Sequence, residues 1–234
     1  MTADAITLQT PKVVLFDAGN TLVFLDHDAL AAAGHDAGLS LTGAALRDAE
    51  PTAKKRYEAE LTRGLSHEAG WDLYVTTIFT TAGATLDAAR AATVIARRAH
   101  DDFNLWRKVP SDLLAALALG KQHGLRYGVV SNSEGRLPAL FSRVGLDGWF
   151  EHVVDSALEG VRKPDPEIFR RALARMGVEA RDALYAGDIP NVDVDGARGV
   201  GMQAVLVDTL GHFPDYTGAP RFASVAALMR ALCG

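Results

Sequence analysis

The chain is predicted to be an α/β protein, a doubly wound parallel Rossmann-like sheet with an inserted all-helical domain. Three features of its 234 residues lead there. The first is Val13-Val14-Leu15-Phe16, a continuous apolar run that stops abruptly on Asp17 and a glycine turn. Half-buried strands alternate and this one does not, so it reads as a strand covered on both faces, as in a parallel sheet. The second is a regular exchange of strand and helix patterns from Pro110 to the end of the chain. The third is the stretch between them, residues 26–107, where apolar residues such as Ile78, Phe79, Ala82 and Leu86 follow helical spacing alone.

Taken in order, the first strand is followed by four helices. Their starts are expected at Asp26 or Asp28, Thr42, Ser66 and Asp87, side chains that accept from the free N–H groups of a first turn. Glycines 34, 38, 64, 70 and 83 break the region into short pieces. Trp71, Tyr74, Val75 and Ile78 share one helical face, and core packing explains them better than substrate contact. His27, His35, His67 and His100 show no metal-ligand spacing and are expected at the surface or as caps. His67-Glu68 lacks the second histidine that a zinc-protease helix needs.

Pro110-Ser111-Asp112 opens a helix over Leu113–Gln122, which Gly124 stops. Then follow a strand at Leu125–Val130, a helix at Leu137–Val144, a short strand at His152–Val154 and a helix at Pro166–Met176. Ala183–Ala186 reads as strand, Val192–Gly199 as helix, Gln203–Val207 as strand and Val225–Leu232 as the closing helix. The helical block is therefore an insertion after the first strand: residues 1–25 and 108–234 form one domain and 26–107 another.

Polar residues collect where these strands end. In an open parallel sheet the carboxyl edge is where ligands bind. Asp17 ends the first strand, Ser131-Asn132-Ser133 the second, and Gly187-Asp188 a later one, with Asp193 and Asp195 just beyond. Between them, Lys163-Pro164-Asp165-Pro166 sets a lysine immediately ahead of a helix. Each has a plain structural explanation taken singly: a cap, a solvated charge, a turn residue. Together they put a nucleophile, hydroxyl and amide donors, a cation and further carboxylates on one sheet edge.

These segments resemble the four motifs of the haloacid dehalogenase-like (HAD) hydrolase superfamily, in the members with an all-helical cap domain inserted after the first motif. Asp17 to Thr21 resembles motif one, Ser131 with Asn132 motif two, Lys163 in its Lys-Pro-Asp-Pro setting motif three, and Gly187-Asp188 with Asp193 and Gly196-Ala197 motif four. The resemblance implies a phosphatase in which Asp17 attacks phosphorus and forms an aspartyl-phosphate. It implies Mg²⁺ as cofactor, held by Asp17, the Gly19 carbonyl, Asp188 and Asp193. Lys163 would offset the negative charge, and Ser131, Asn132, Thr21 and the amides of Ala18 and Gly19 would hold a small phosphorylated substrate. Thr21 is also expected to orient Asp17 or its loop.

Two departures from the family pattern matter. The position two after the nucleophile, an aspartate acid/base in family phosphatases, is Gly19, and the residue after Asp188 is Ile189 where serine is common. The first leaves the leaving oxygen without its usual proton donor. Family dehalogenases also lack that aspartate, because halide departs without a proton, but they lack the metal as well. The alternatives are thus a metal-free 2-haloacid dehalogenase-type hydrolase and a catalytically weak HAD-fold binding protein.

Composition narrows the rest. The formal charge of −5 and the absence of a basic patch argue against nucleic acid. The single cysteine, Cys233, excludes an internal disulfide. Met1–Thr10 has no signal-type apolar core, and the longest apolar run, Leu113–Leu119, is far too short to span a bilayer. A cytoplasmic protein with no membrane partner is expected. No feature sets the oligomeric state or the identity of the substrate.

Overall fold

The computed structural model describes residues 8–61 and 65–234. Gly64 and most of the Met1–Thr10 stretch lie outside the described residues, as does the side chain of His67. The chain forms two units, one made of the described residues through Phe24 together with Val109–Gly234, the other of Leu25–Lys108.

The first unit is built on six parallel strands: β1 (Val13–Phe16), β4 (Arg126–Ser131), β5 (His152–Asp155), β6 (Ala183–Gly187), β7 (Gln203–Val207) and β8 (Arg221–Phe222). They lie in the order β5-β4-β1-β6-β7-β8, so β1 is central and pairs with β4 on one side and β6 on the other. Every residue of β1 and of β6 is buried, which is why neither shows alternation in the sequence. The helices of this unit are α5 (Leu113–Gln122), α6 (Leu137–Arg143), α7 (Ser156–Glu159), α8 (Pro166–Met176), α9 (Asp195–Gly199) and α10 (Val225–Cys233). Helix α8 begins where the sequence says it should. Asp165 accepts from Glu167 N at 2.9 Å, Pro166 supplies a first position that needs no N–H, and Gly177 ends the helix in the left-handed conformation at φ 64°. Its apolar face, with Ile168, Phe169, Ala172 and Met176, enters a core shared with Val13, Leu15, Val130 and Tyr185.

The expected helix at Val192–Gly199 is resolved differently. Pro190–Val194 winds as a π-helical turn and only Asp195–Gly199 is α-helical. The wider ring is closed by Asp195, whose N–H donates to Pro190 O five residues back, while the Asp193 carboxylate accepts from Ile189 N at 2.9 Å. Strand β8 was not expected from the sequence; with only two residues it has no period to read.

The second unit holds α1 (His27–Asp36), α2 (Gly43–Leu61), α3 (His67–Thr81) and α4 (Leu86–Asp102). Asp26, Thr42 and Ser66 each accept from an N–H of the following first turn, at 3.2 to 3.3 Å. For α4 the cap is Thr85 rather than Asp87, which stands inside the first turn. Trp71, Tyr74, Val75 and Ile78 are all buried in this unit's core, as their spacing predicts. Two histidines depart from expectation. His27 is buried with Nε2 2.9 Å from Glu50 Oε2, and buried His100 accepts from Leu105 N through Nδ1 at 3.2 Å. Short strands β2 (Phe24–Leu25) and β3 (Trp106–Lys108) form a separate pair. Among the described residues no helix is long and apolar enough to cross a membrane.

Candidate active site

Three adjacent strands deliver the polar residues to one edge. Asp17 follows the last residue of β1 and donates its N–H to Ala186 O at 2.9 Å, continuing the ladder with β6. Ser131 is the last residue of β4, and Asp188 follows the last residue of β6. The fold needs Gly187 there, because a Cβ would collide with the Asp193 carboxylate. Lys163 comes from the loop before α8. Its Nζ donates to Asp17 Oδ1 at 2.8 Å, Asp193 Oδ1 at 2.6 Å and the Tyr185 hydroxyl at 2.8 Å.

All four charged groups are shielded from solvent: Asp17 is 8% exposed, Asp188 3%, Asp193 0% and Lys163 3%. One oxygen from each of the three aspartates lies within 4.8 Å of the other two. Burial pushes the Asp17 carboxyl up, the Lys163 ammonium opposes this, and Asp188 adds to the rise, leaving the pKa above its ordinary value. Asp193 is shifted the same way, by burial first and against Lys163. For Lys163 burial favours the neutral amine, but Asp17 and Asp193 outweigh it and hold the ammonium well above the ordinary lysine value.

The turn after Asp17 is tight. The Ala18 carbonyl accepts from the N–H groups of Thr21, Leu22 and Val23, and Asn20 N–H donates to Val23 O. The left-handed residue is Asn20, at φ 54°, and Gly19 is not among the positive-φ residues. Thr21 is buried and its hydroxyl makes no hydrogen bond among the described residues, so it does not orient Asp17 as expected. The turn is held by backbone bonds instead.

Asn132 also departs from expectation. Its Oδ1 accepts from Lys163 N at 2.8 Å and its Nδ2 donates to Lys163 O at 3.0 Å. What its side chain does here is hold the lysine's backbone, where a direct hold on substrate was expected. Asp195 is exposed, an ordinary helix-surface charge. Two residues escaped the sequence reading. Tyr185, inside an apolar-looking strand, brings its hydroxyl to Lys163. Asp155, at the end of β5 and fully buried, accepts from Gly135 N, Leu137 N and Ala157 N and so fixes the loop after Ser131. An aspartate at the end of a predicted strand was the available signal for Asp155; nothing in the sequence marks Tyr185.

Fold and site together define a parallel α/β protein with a buried, lysine-paired carboxylate cluster at the carboxyl edge of its central strands. The chain belongs to the haloacid dehalogenase-like hydrolases, whose family model matches residues 11–201. Haloacid dehalogenase-like hydrolase domain-containing protein 3 of Bos taurus is 33% identical over 212 residues, covering 84% of this chain and 81% of the relative. A glyceraldehyde 3-phosphate phosphatase of Pyrococcus abyssi is 36% identical over 104 residues, 44% of this chain and 43% of that protein. The alignment with the mouse form of the domain-containing protein 3 spans 59% of its length. Among solved structures, the HAD-hydrolase YfnB from Bacillus subtilis, bound to magnesium, superposes with a TM-score of 0.68 at 18% identity, covering 96% of this chain and 99% of that one, a likeness of fold.

Proposed function

We propose that this hydrolase is a Mg²⁺-dependent phosphatase for a small phosphorylated metabolite, working through a covalent intermediate on Asp17, with the helical insertion of residues 26–107 acting as a specificity cap. The observation that carries the reading is the buried cluster, in which one oxygen of each of three aspartates lies within 4.8 Å of the other two and the Lys163 ammonium bonds Asp17 and Asp193. Like charges this close repel one another, and a bound cation relieves that repulsion. The donors are hard oxygens, which suit Mg²⁺. Asp17, Asp188, Asp193 and the backbone carbonyl of Gly19 would hold the ion, and when bound it supplies positive charge to a transferring phosphoryl group.

The chain's own residues do the rest. A carboxylate oxygen of Asp17 attacks phosphorus, the bond to the leaving oxygen breaks, and an aspartyl-phosphate forms; water then cleaves that acyl phosphate and returns Asp17 and inorganic phosphate. Lys163 holds the attacking carboxylate in place and offsets repulsion between it and the incoming phosphate. The unpaired hydroxyl of Thr21, the hydroxyl of Ser131 and the amides of Ala18 and Gly19 are donors for the phosphoryl oxygens, in the place where phosphoryl transfer is helped most by positioning and charge. With Gly19 in place of a carboxylic acid, the substrates best served are those whose leaving group departs without a proton, such as acyl or aryl phosphates.

The name of the archaeal relative supports phosphorus as the electrophile. Halide displacement has no need of a cation, so the carboxylate cluster favours the phosphatase over the dehalogenase reading. The test is turnover of p-nitrophenyl phosphate with and without Mg²⁺, in the wild type and in Asp17→Asn. Loss of turnover in the variant and on chelation is expected; turnover in either case would overturn the reading.

A further inference from the structure

We propose that Tyr185 is a positioning residue for Lys163, its hydroxyl fixing the ammonium between the nucleophile and Asp193; this rests on the phosphatase reading above. A tyrosine in the middle of a fully buried central strand has a simpler explanation in packing, and its ring does pack, edge to face with Phe169 at 5.2 Å between centroids. Phenylalanine would pack as well. The hydroxyl therefore needs its own account, because a buried O–H costs stability unless it is bonded.

Its bonds supply one. The Tyr185 hydroxyl has a single proton, which goes to the Val130 carbonyl at 2.7 Å, a group able only to accept. Asp193 Oδ1 is the more distant neighbour, at 3.3 Å. The hydroxyl oxygen is thus left to accept from Lys163 Nζ at 2.8 Å. An ammonium has three protons. Here one goes to Asp17, one to Asp193 and the third to Tyr185, so every direction of the lysine head is specified.

The neutral partner matters for a reason the two carboxylates cannot meet. With only two anions as partners, the ammonium can rotate about the line between them and shift its weight toward either, carrying the attacking oxygen of Asp17 with it. The tyrosine oxygen adds a third point, anchored through Val130 to β4, the strand that carries Ser131.

The experiment is Tyr185→Phe, alongside Asp17→Asn and Lys163→Ala, with p-nitrophenyl phosphate and Mg²⁺. Losing a hydrogen bond to a charged group is worth about a tenfold effect, so kcat should fall about tenfold with KM within about twofold. A thermal-unfolding cycle of Tyr185→Phe and Lys163→Ala adds a readout independent of activity. If the hydroxyl acts through the lysine, removing it should shift the melting temperature less in the Lys163→Ala background than in the wild type. Unchanged kcat, or equal shifts in both backgrounds, would make Tyr185 a packing residue and overturn the proposal. Turnover surviving in Asp17→Asn would instead overturn the phosphatase reading, and the proposal with it.

Discussion

Asn132 grips Lys163 by both backbone groups of that residue, its amide oxygen 2.8 Å from the lysine N and its amide nitrogen 3.0 Å from the lysine O. The two residues are 31 positions apart, so this side chain ties the end of β4 to the loop that delivers the ammonium. Asn132→Ala should lose both bonds, destabilise the fold by roughly 1–3 kcal/mol and lower kcat by loosening Lys163. Asn132→Asp keeps the acceptor and loses the donor, so it should fall between. Urea unfolding with parallel kinetics checks the order; an alanine variant as stable and active as the wild type would show that the clamp has no weight.

Mg²⁺ should raise the melting temperature, since a ligand that binds only the folded chain stabilises it by mass action, by about 2.7 kcal/mol at a hundred times Kd. Asp188→Asn should abolish the response by removing one of the three clustered carboxylates. Calorimetry in chelator and in millimolar Mg²⁺ measures this directly. A melting temperature indifferent to the ion would remove it from the mechanism.

Gly19 sets the leaving-group preference. A positioned general acid is worth about 10²–10⁴-fold, or about 3–5 kcal/mol of barrier. Wild-type kcat/KM should therefore fall steeply from nitrophenyl to alkyl phosphates, and Gly19→Asp should flatten that slope. Backbone strain does not stand in the way, because the left-handed conformation in this turn belongs to Asn20. Equal wild-type rates on both substrates would mean that another acid already serves the leaving oxygen.

Asp26 gives a pH signature in the helical unit. Burial raises its pKa, but the Arg107 guanidinium, which donates from Nε to Asp26 Oδ2 at 2.9 Å, outweighs that, and the net shift is downward. A lowered folded-state pKa contributes stability that is present above the unfolded aspartate value of about 3.9 and lost as pH falls through the folded value. Asp26→Asn keeps the cap and loses the ion pair, so it should cost less at neutral pH than Asp26→Ala, which also forfeits a cap worth about 0.5–2 kcal/mol. The gap between wild type and Asp26→Asn should close below about pH 4 in thermal melts.

The parts of the chain that were readable in advance are those with a strong local rule. The uninterrupted Val13–Phe16 run, the Asp165-Pro166 start and Gly177 end of α8, and the apolar face of α3 each follow from residues within one or two turns. The parts that were not depend on partners far along the sequence. Tyr185 looks like another core residue until β4 brings Val130 beside it, and Asn132 looks like a phosphate ligand until Lys163 arrives to take both ends of its amide. Thr85 displaced Asp87 as a cap because both are good caps and only the actual first turn decides. The π-helical turn at Pro190–Val194 rests on the Asp195 N–H reaching back five residues to Pro190 O, a choice of ring size that composition does not encode.

The central position of β1 has a consequence for how the chain folds. Val13 sits beside Arg126 on one strand and Ala183 on the other, and the ion pair closing the site joins residues 146 positions apart. Closing such distant loops is entropically slow, while the helices between can gather their own local contacts first. During synthesis β1, apolar on both faces, must wait for the segment that carries β6 to follow. The ordering of Asp17 against Lys163 is then among the last events, and an amide-exchange pulse should find β1 protected later than α3 and α4.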